Sequence, residues 1–270
     1  MKARFSELLG AAQAQNAAVG AFTAYNLETA IGVVRAAARR KRGVILLVSE
    51  RSFDDVFVGA LVAVAERASV PVCVQLDHSV VHRTIEQAFE LGAGAVLAAG
   101  SKLPFEHNVA LVQWAAGHGE VEAELGGIEG DEDIATAVAA GALTDPEEAA
   151  DFVRQTGAAC LAVSIGNVHG TYREPPELDW ARLEAIRERV DVPLSLHGAS
   201  GLTDDHLRRA ISLGIAKVNV NTELREQYLR TTELALDRVR EGANVLALNS
   251  AQSEAVAAVV EAKLAVYDGY

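Results

Sequence analysis

Three histidines in this chain each follow a short apolar run: His78 after Val70–Leu76, His169 after Cys160–Ile165 and His197 after Val192–Leu196. Imidazole nitrogen suits a borderline-soft divalent cation such as Zn²⁺, and three protein ligands leave one coordination position for a substrate. Asp77 precedes His78, while Gly170 and Gly198 follow the other two, where a missing Cβ permits close backbone approach. Taken alone, each histidine reads as structural; the joint pattern points to a metal. The other four, His82, His107, His118 and His206, fall in helical stretches or their flanks and read as surface residues.

Two further groups of residues complement that pattern. His197-Gly198-Ala199-Ser200-Gly201 and Asn219-Val220-Asn221-Thr222 both run from an apolar strand toward a helix. Backbone N–H groups at such helix starts attract phosphate. Carboxylates supply the rest: Asp77, the pair in Glu122-Ala123-Glu124, and the acidic Gly126–Leu143 segment. That segment reads equally as a solvated acidic loop or as a Gly-hinged lid bringing a carboxylate base over a site. A metal beside a phosphate site, with fixed and mobile carboxylates, suits chemistry next to a carbonyl. The metal would polarise the ketone oxygen and stabilise an enediolate.

Something must bring these distant residues together. Short β-branched runs alternate with segments of helical periodicity. The expected strands are Ala18–Ala24, Gly43–Val48, Val70–Leu76, Ala93–Ala98, Glu120–Leu125, Cys160–Ile165, Val192–Leu196 and Ala216–Val220. Expected helices include Phe5–Gln15, Leu27–Arg40, one around Phe105–Gly117, one opened by Asp145-Pro146, and a long C-terminal helical region. Eight such units in 270 residues predict an α/β protein of one domain over 1–270, a parallel (β/α)₈ TIM barrel. A doubly wound sheet would carry a Gly-rich turn after its first strand, and Phe22-Thr23-Ala24-Tyr25 is not one. In a barrel the ends of strands three, five, six, seven and eight share one rim.

Composition limits the partners. Net charge is −13 and the pI about 5.0, with no clustered Lys/Arg block, which argues against nucleic acid and anionic membranes. No apolar stretch nears the ~20 residues a bilayer span requires. The N-terminal MKARFSELLGAAQAQ shows no secretory apolar core, and Cys73 and Cys160 read as reduced core residues, so the expected location is cytoplasmic.

The segments LDHS (76–79), VEAELGGIEGDED (121–133), VSIGNVHGTY (163–172), PLSLHGASGL (193–202) and KVNVNTEL (217–224) resemble class II fructose-bisphosphate and tagatose-bisphosphate aldolases, as do GAFTAYNLET (20–29) and GSKLPFEHN (100–108) more weakly. The resemblance implies a lyase that cleaves or forms a ketose phosphate with dihydroxyacetone phosphate as donor. It implies His78, His169 and His197 as ligands of one Zn²⁺ per subunit, with Glu124 an alternate or outer ligand. Asp77 would be the acid/base at the aldehyde oxygen, and Glu132 the lid carboxylate exchanging the C–H proton. Gly170, Gly198, Ser200, Asn219 and Thr222 would cradle the phosphate, and Asn221 and Ser49 are counted with the substrate or phosphate contacts. A monovalent cation, Na⁺ or K⁺, is implied near that phosphate, and a homodimer or homotetramer by analogy.

The chain departs from the family pattern at four places. Ala99 stands where an Asp is usual, Thr23 where Asn is common, and Asn221 where fructose-bisphosphate enzymes often carry Asp. The Asp-Pro-Arg segment near the C-terminus, whose Arg typically grips the second phosphate of a neighbouring subunit's substrate, is replaced by Glu241-Gly242-Ala243-Asn244-Val245. The expectation is a conserved donor end with an altered aldehyde end, which leaves a different, non-phosphorylated aldehyde open. Arg51 reads either as a substitute cation or as a solvated loop residue. Three rivals remain: a Schiff-base aldolase using Lys217, a metal-dependent sugar-phosphate isomerase, and a non-catalytic sugar-phosphate binder.

Overall fold

The computed structural model describes residues 1–131, 133–134, 137–172 and 177–268, with only the backbone at 137 and 171. Eight parallel strands close into a barrel: β1 (Val19–Thr23), β2 (Val44–Ser49), β3 (Val72–Ser79), β4 (Ala95–Ala98), β5 (Glu120–Leu125), β7 (Cys160–Val163), β9 (Leu194–Leu196) and β10 (Ile215–Val220). Two short strands that the sequence reading did not expect, β6 (Ala137–Val138) and β8 (Thr171–Tyr172), pair outside it. Around the barrel lie α2 (Leu27–Arg40), α3 (Asp55–Arg67), α4 (His82–Glu90), α5 (Phe105–Ala116), α6 (Pro146–Thr156), α7 (Trp180–Arg189) and α8 (Asp204–Ser212). The C-terminal helical region is two helices, α9 (Thr222–Arg240) and α10 (Val245–Tyr267).

The helix starts follow capping chemistry. Asn26, Asp54, Asp145, Thr203 and Asn244 each accept a hydrogen bond from a first-turn N–H, and Pro146 occupies the position where a missing N–H costs nothing.

Side chains alternate across each strand, and that alternation divides the core in two. One set, including Phe22, Leu46, Val74, Val96, Leu161 and Val218, packs against the surrounding helices. The other set points inward. At the bottom of the barrel it is apolar: Val19, Ala21, Ile45, Leu47, Cys73, Ala95 and Cys160 pack with Phe5, Leu8 and Leu9 of α1 (Phe5–Gln13), which plugs that end. Both cysteines are free and buried, as their apolar surroundings implied, and burial pushes the Cys73 thiol up to about 12. Toward the strands' C-terminal ends the inward positions become polar: Gln75, Glu122, Ser195 and Lys217, then Asp77, Glu124, His197 and Asn219, all buried. Among the described residues no helix is long and apolar enough to cross a membrane.

Candidate active site

Asp77 and His78 lie within β3, not beyond it as the sequence reading has it, because the strand runs on to Ser79. Between Leu76 and Ser79 the pairing with β4 shifts by one residue, and His78 takes φ 48°. Such a bulge re-aims a side chain at a barrel rim. Here it lets consecutive residues, Asp77 and His78, both serve the site.

The three strand-end histidines converge. His78 Nε2 lies 3.0 Å from His197 Nδ1, and His169 Nε2 lies 3.5 Å from the same atom. One ligand atom from each falls within 4.8 Å of the others. Nitrogens bound tetrahedrally at ~2.0–2.1 Å to Zn²⁺ are about 3.3 Å apart. The observed spacings straddle that value, so the donor set and its geometry fit a divalent metal.

Two of the rings have a carboxylate behind them. His197 Nε2 is 2.9 Å from Glu122 Oε1, and its backbone carbonyl accepts from Asn167 Nδ2 at 3.1 Å. Asn167 is itself tied to Val163 O and the Ile165 N–H. His78 Nδ1 faces Glu124 Oε2 at 3.6 Å, and the Ser101 hydroxyl donates to the other oxygen of Glu124. The backbone N–H of His169 donates to the backbone carbonyl of Glu129 at 2.7 Å, which ties the acidic 126–143 segment to a histidine of the cluster.

Burial alone would raise the Glu122 carboxyl. The Lys217 ammonium at 2.8 Å and the hydrogen bond to His197 outweigh it, holding the carboxyl well below the usual range. Burial also works against charge on Lys217, and Glu122 reverses that sign, so its pKa stands above the ordinary value. Burial pushes His197 down to about 4, so the ring is neutral at pH 7, as a metal ligand must be. A charged, ion-paired Lys217 has no lone pair with which to attack a carbonyl, which disfavours the Schiff-base rival.

Two recesses meet at this cluster. A cleft of about 380 Å³ is lined by Ser49, Arg51, Asp77, His78, Ala99, Lys102, Glu124 and His169, among others. A smaller recess is lined by Thr23, Asp77, His169, Gly170, Gly198, Ser200, Asn219, Asn221 and Thr222. It brings together the five residues that the resemblance assigned to the phosphate, with Asn221 beside Thr222 at the start of α9. Ser49 lies apart from them, in the larger cleft. Asp77 and His169 border both spaces.

Two described residues of the 126–143 segment, Asp131 and Asp133, contact side chains of the barrel's loops and of α9. Asp133 accepts from Tyr25 Oη at 2.5 Å, its carbonyl accepts from Arg225, and Asp131 pairs with Arg51 at 2.9 Å. Burial and the Asp133 carboxylate push the Tyr25 hydroxyl above its ordinary range. Glu132, the residue assigned as lid base, lies outside the described residues. Of the histidines read as surface residues, His82, His107 and His118 are exposed. His206 is half-buried, 6.0 Å from the Trp180 ring. Sequence reasoning gave no role to Asn167, counted Glu122 only among the strand-end carboxylates, and weighed Lys217 only as the nucleophile of a rival mechanism.

The chain belongs to the class II fructose-bisphosphate aldolase family, whose sequence profile matches residues 3–269. It is 39% identical over 217 residues to the Escherichia coli K12 protein YdjI, named as uncharacterized, covering 77% of this chain and 78% of YdjI. The crystal structure of the YdjI aldolase superposes with a TM-score of 0.89 at 32% identity, covering 99% of this chain and 97% of that one. The fructose-bisphosphate aldolase of Campylobacter jejuni, at 18% identity and TM-score 0.79, shares the fold over 98% of this chain and 95% of its own.

Proposed function

We propose that this protein is a zinc-dependent ketose-phosphate aldolase with dihydroxyacetone phosphate as donor. The observation that carries the reading is the meeting of two recesses at a three-histidine cluster with Asp77 on the border of both. A substrate with its phosphate in the smaller recess would lay its carbonyl beside the histidines and its aldehyde half in the larger cleft.

A divalent ion on His78, His169 and His197 would polarise the ketone oxygen and so acidify the adjacent carbon. In cleavage, Asp77 takes the proton from the hydroxyl on the aldehyde side. The carbon–carbon bond breaks, the aldehyde leaves, and the electron pair stays on the donor carbon. Glu132 returns a proton to that carbon. Gly170, Gly198, Ser200, Asn219, Asn221 and Thr222 hold the phosphate, with a monovalent Na⁺ or K⁺ beside it. Glu124 stands behind His78 and orients it.

The far end supports a second reading of the aldehyde. Ala99 removes a carboxylate from the larger cleft, and Arg51 and Lys102 offer cations there. These cations suit an anionic aldehyde end, whereas Glu241-Gly242-Ala243-Asn244-Val245 in place of the Asp-Pro-Arg segment supports an aldehyde other than glyceraldehyde 3-phosphate, without the second phosphate. The protein is proposed to work as a homodimer or homotetramer; exposed Leu229, Leu234, Val245 and Leu246 supply an apolar surface that supports it. The test is release of dihydroxyacetone phosphate from fructose 1,6-bisphosphate, with and without EDTA and added zinc. Zinc-restored release is expected. With no release from zinc-loaded protein, condensation with a panel of aldehydes is read next, and silence there removes the catalytic reading.

A further inference from the structure

Lys217 takes part in no step above, yet it is a fully buried ammonium at the centre of the barrel. A charge in that position persists only where partners surround it. Its Nζ lies 2.8 Å from Glu122 Oε2 and 2.5 Å from Asn219 Oδ1. Each contact begins a short chain that ends at the reacting groups.

The first chain runs through Glu122. Its Oε2 accepts from Lys217 and also from Gln75 Nε2 at 2.6 Å. Its Oε1 is thereby directed to the Nε2–H of His197 at 2.9 Å. With the proton on Nε2, the lone pair of the ring is on Nδ1, and Nδ1 is the atom that faces His78 and His169.

The second chain runs through Asn219. The two ends of an amide are nearly the same shape, so a hydrogen-bond partner decides which way it points. The carbonyl oxygen accepts from Lys217, which turns the NH₂ the other way. Nδ2 then lies 3.4 Å from Asp77 Oδ2 and 3.3 Å from His197 Nδ1. The opposite orientation would set an oxygen against the carboxylate of Asp77.

We infer that Lys217 is a positioning residue that acts through Glu122 and Asn219 together, setting the nitrogen that His197 presents to the metal and the donor that Asn219 presents to Asp77. The consequence for metal binding rests on the zinc reading of the three histidines; the orientation of the His197 ring does not.

Two experiments test it. In wild-type, zinc-free protein, long-range ¹H–¹⁵N correlation spectra of labelled histidine report the His197 tautomer. Protonation at Nε2 is expected, and an Nδ1–H tautomer overturns the inference without any variant having to fold. Zinc affinity, measured by competition with a chromophoric chelator, is then compared for wild type, Lys217→Met, Glu122→Gln and the double variant. Each single change is expected to weaken zinc binding about 10–100-fold, and the double variant no further than the weaker single one, because both act on one ring. Unchanged affinity in a folded Lys217→Met, or additive losses, overturns it. If wild type binds no zinc, the metal reading fails, and the tautomer alone decides the role of Lys217.

Discussion

Replacing Gly198 with Ala tests how tightly the fold spaces its metal-facing histidines. Gly198 follows His197 directly, and Val168 precedes His169. A Cβ on Gly198 would lie 1.9 Å from Val168 O and 2.5 Å from Val168 C, where real Cβ contacts essentially never fall below 3.0 Å. The obstacle is backbone, so the two loops must separate by about 1 Å, whereas a metal site tolerates roughly 0.2 Å in its ligand distances. Gly198 also has φ +64°, which costs an L side chain about 1–2 kcal/mol. Overpacking adds about 1–3 kcal/mol. Gly157→Ala is the control, because Gly157 has φ +67° with nothing within 4 Å of its would-be Cβ. It should lose only the conformational part, about 1–2 kcal/mol. Gly198→Ala should lose about 2–5 kcal/mol in urea unfolding and weaken zinc binding at least ~100-fold, as outer-shell changes of up to that size already do. The measurements are urea unfolding and chelator competition on both variants. Gly198→Ala that matches Gly157→Ala in stability and wild type in zinc affinity would refute the reasoning.

Other outcomes follow from the same geometry. Asp77→Asn should keep its zinc while cleavage falls by about 10²–10⁴, the usual contribution of a positioned acid/base. Deuterium exchange into dihydroxyacetone phosphate should largely survive in that variant, and loss of exchange would reassign Asp77. The zinc-free protein should lose stability as pH falls from 6.5 toward 4. Unfolded His197 takes up a proton near its ordinary value, while the folded ring does so only at about 4. That difference is worth up to roughly 3 kcal/mol, and an unchanged urea midpoint between pH 7.5 and 5 would contradict it. Arg51→Ala should leave the urea midpoint nearly unchanged, since its pair with Asp131 is solvent-exposed. It should instead raise KM for ketose phosphates with an anionic far end, and an unchanged KM would return Arg51 to the status of a loop residue.

The barrel was legible because its strands are apolar on both faces and its helices begin with Asx, Thr and Pro signals. The histidines were legible because each follows a short apolar run and stands beside an Asp or a Gly. Glu122 and Lys217 were not, for a physical reason: they are 95 positions apart in the sequence and meet only across the closed interior. On paper Lys217 is an isolated cation in an apolar strand. The bulge that turns His78 was equally hidden, since the bulge depends on how β3 pairs with β4. Helices α3 and α4 have the expected crossover role, but the sequence reading set no bounds for them.

The alternation along the barrel strands also bears on how such a protein can change over generations. On β10, Val218 and Val220 belong to the shell beneath the helices, while Asn219 between them belongs to the reaction chamber. Neighbouring codons thus answer to separate demands, persistence of the fold and choice of substrate. Variation confined to the rim positions 99, 102 and 221 could explore new aldehydes while the helical jacket and the α1 plug stay as they are.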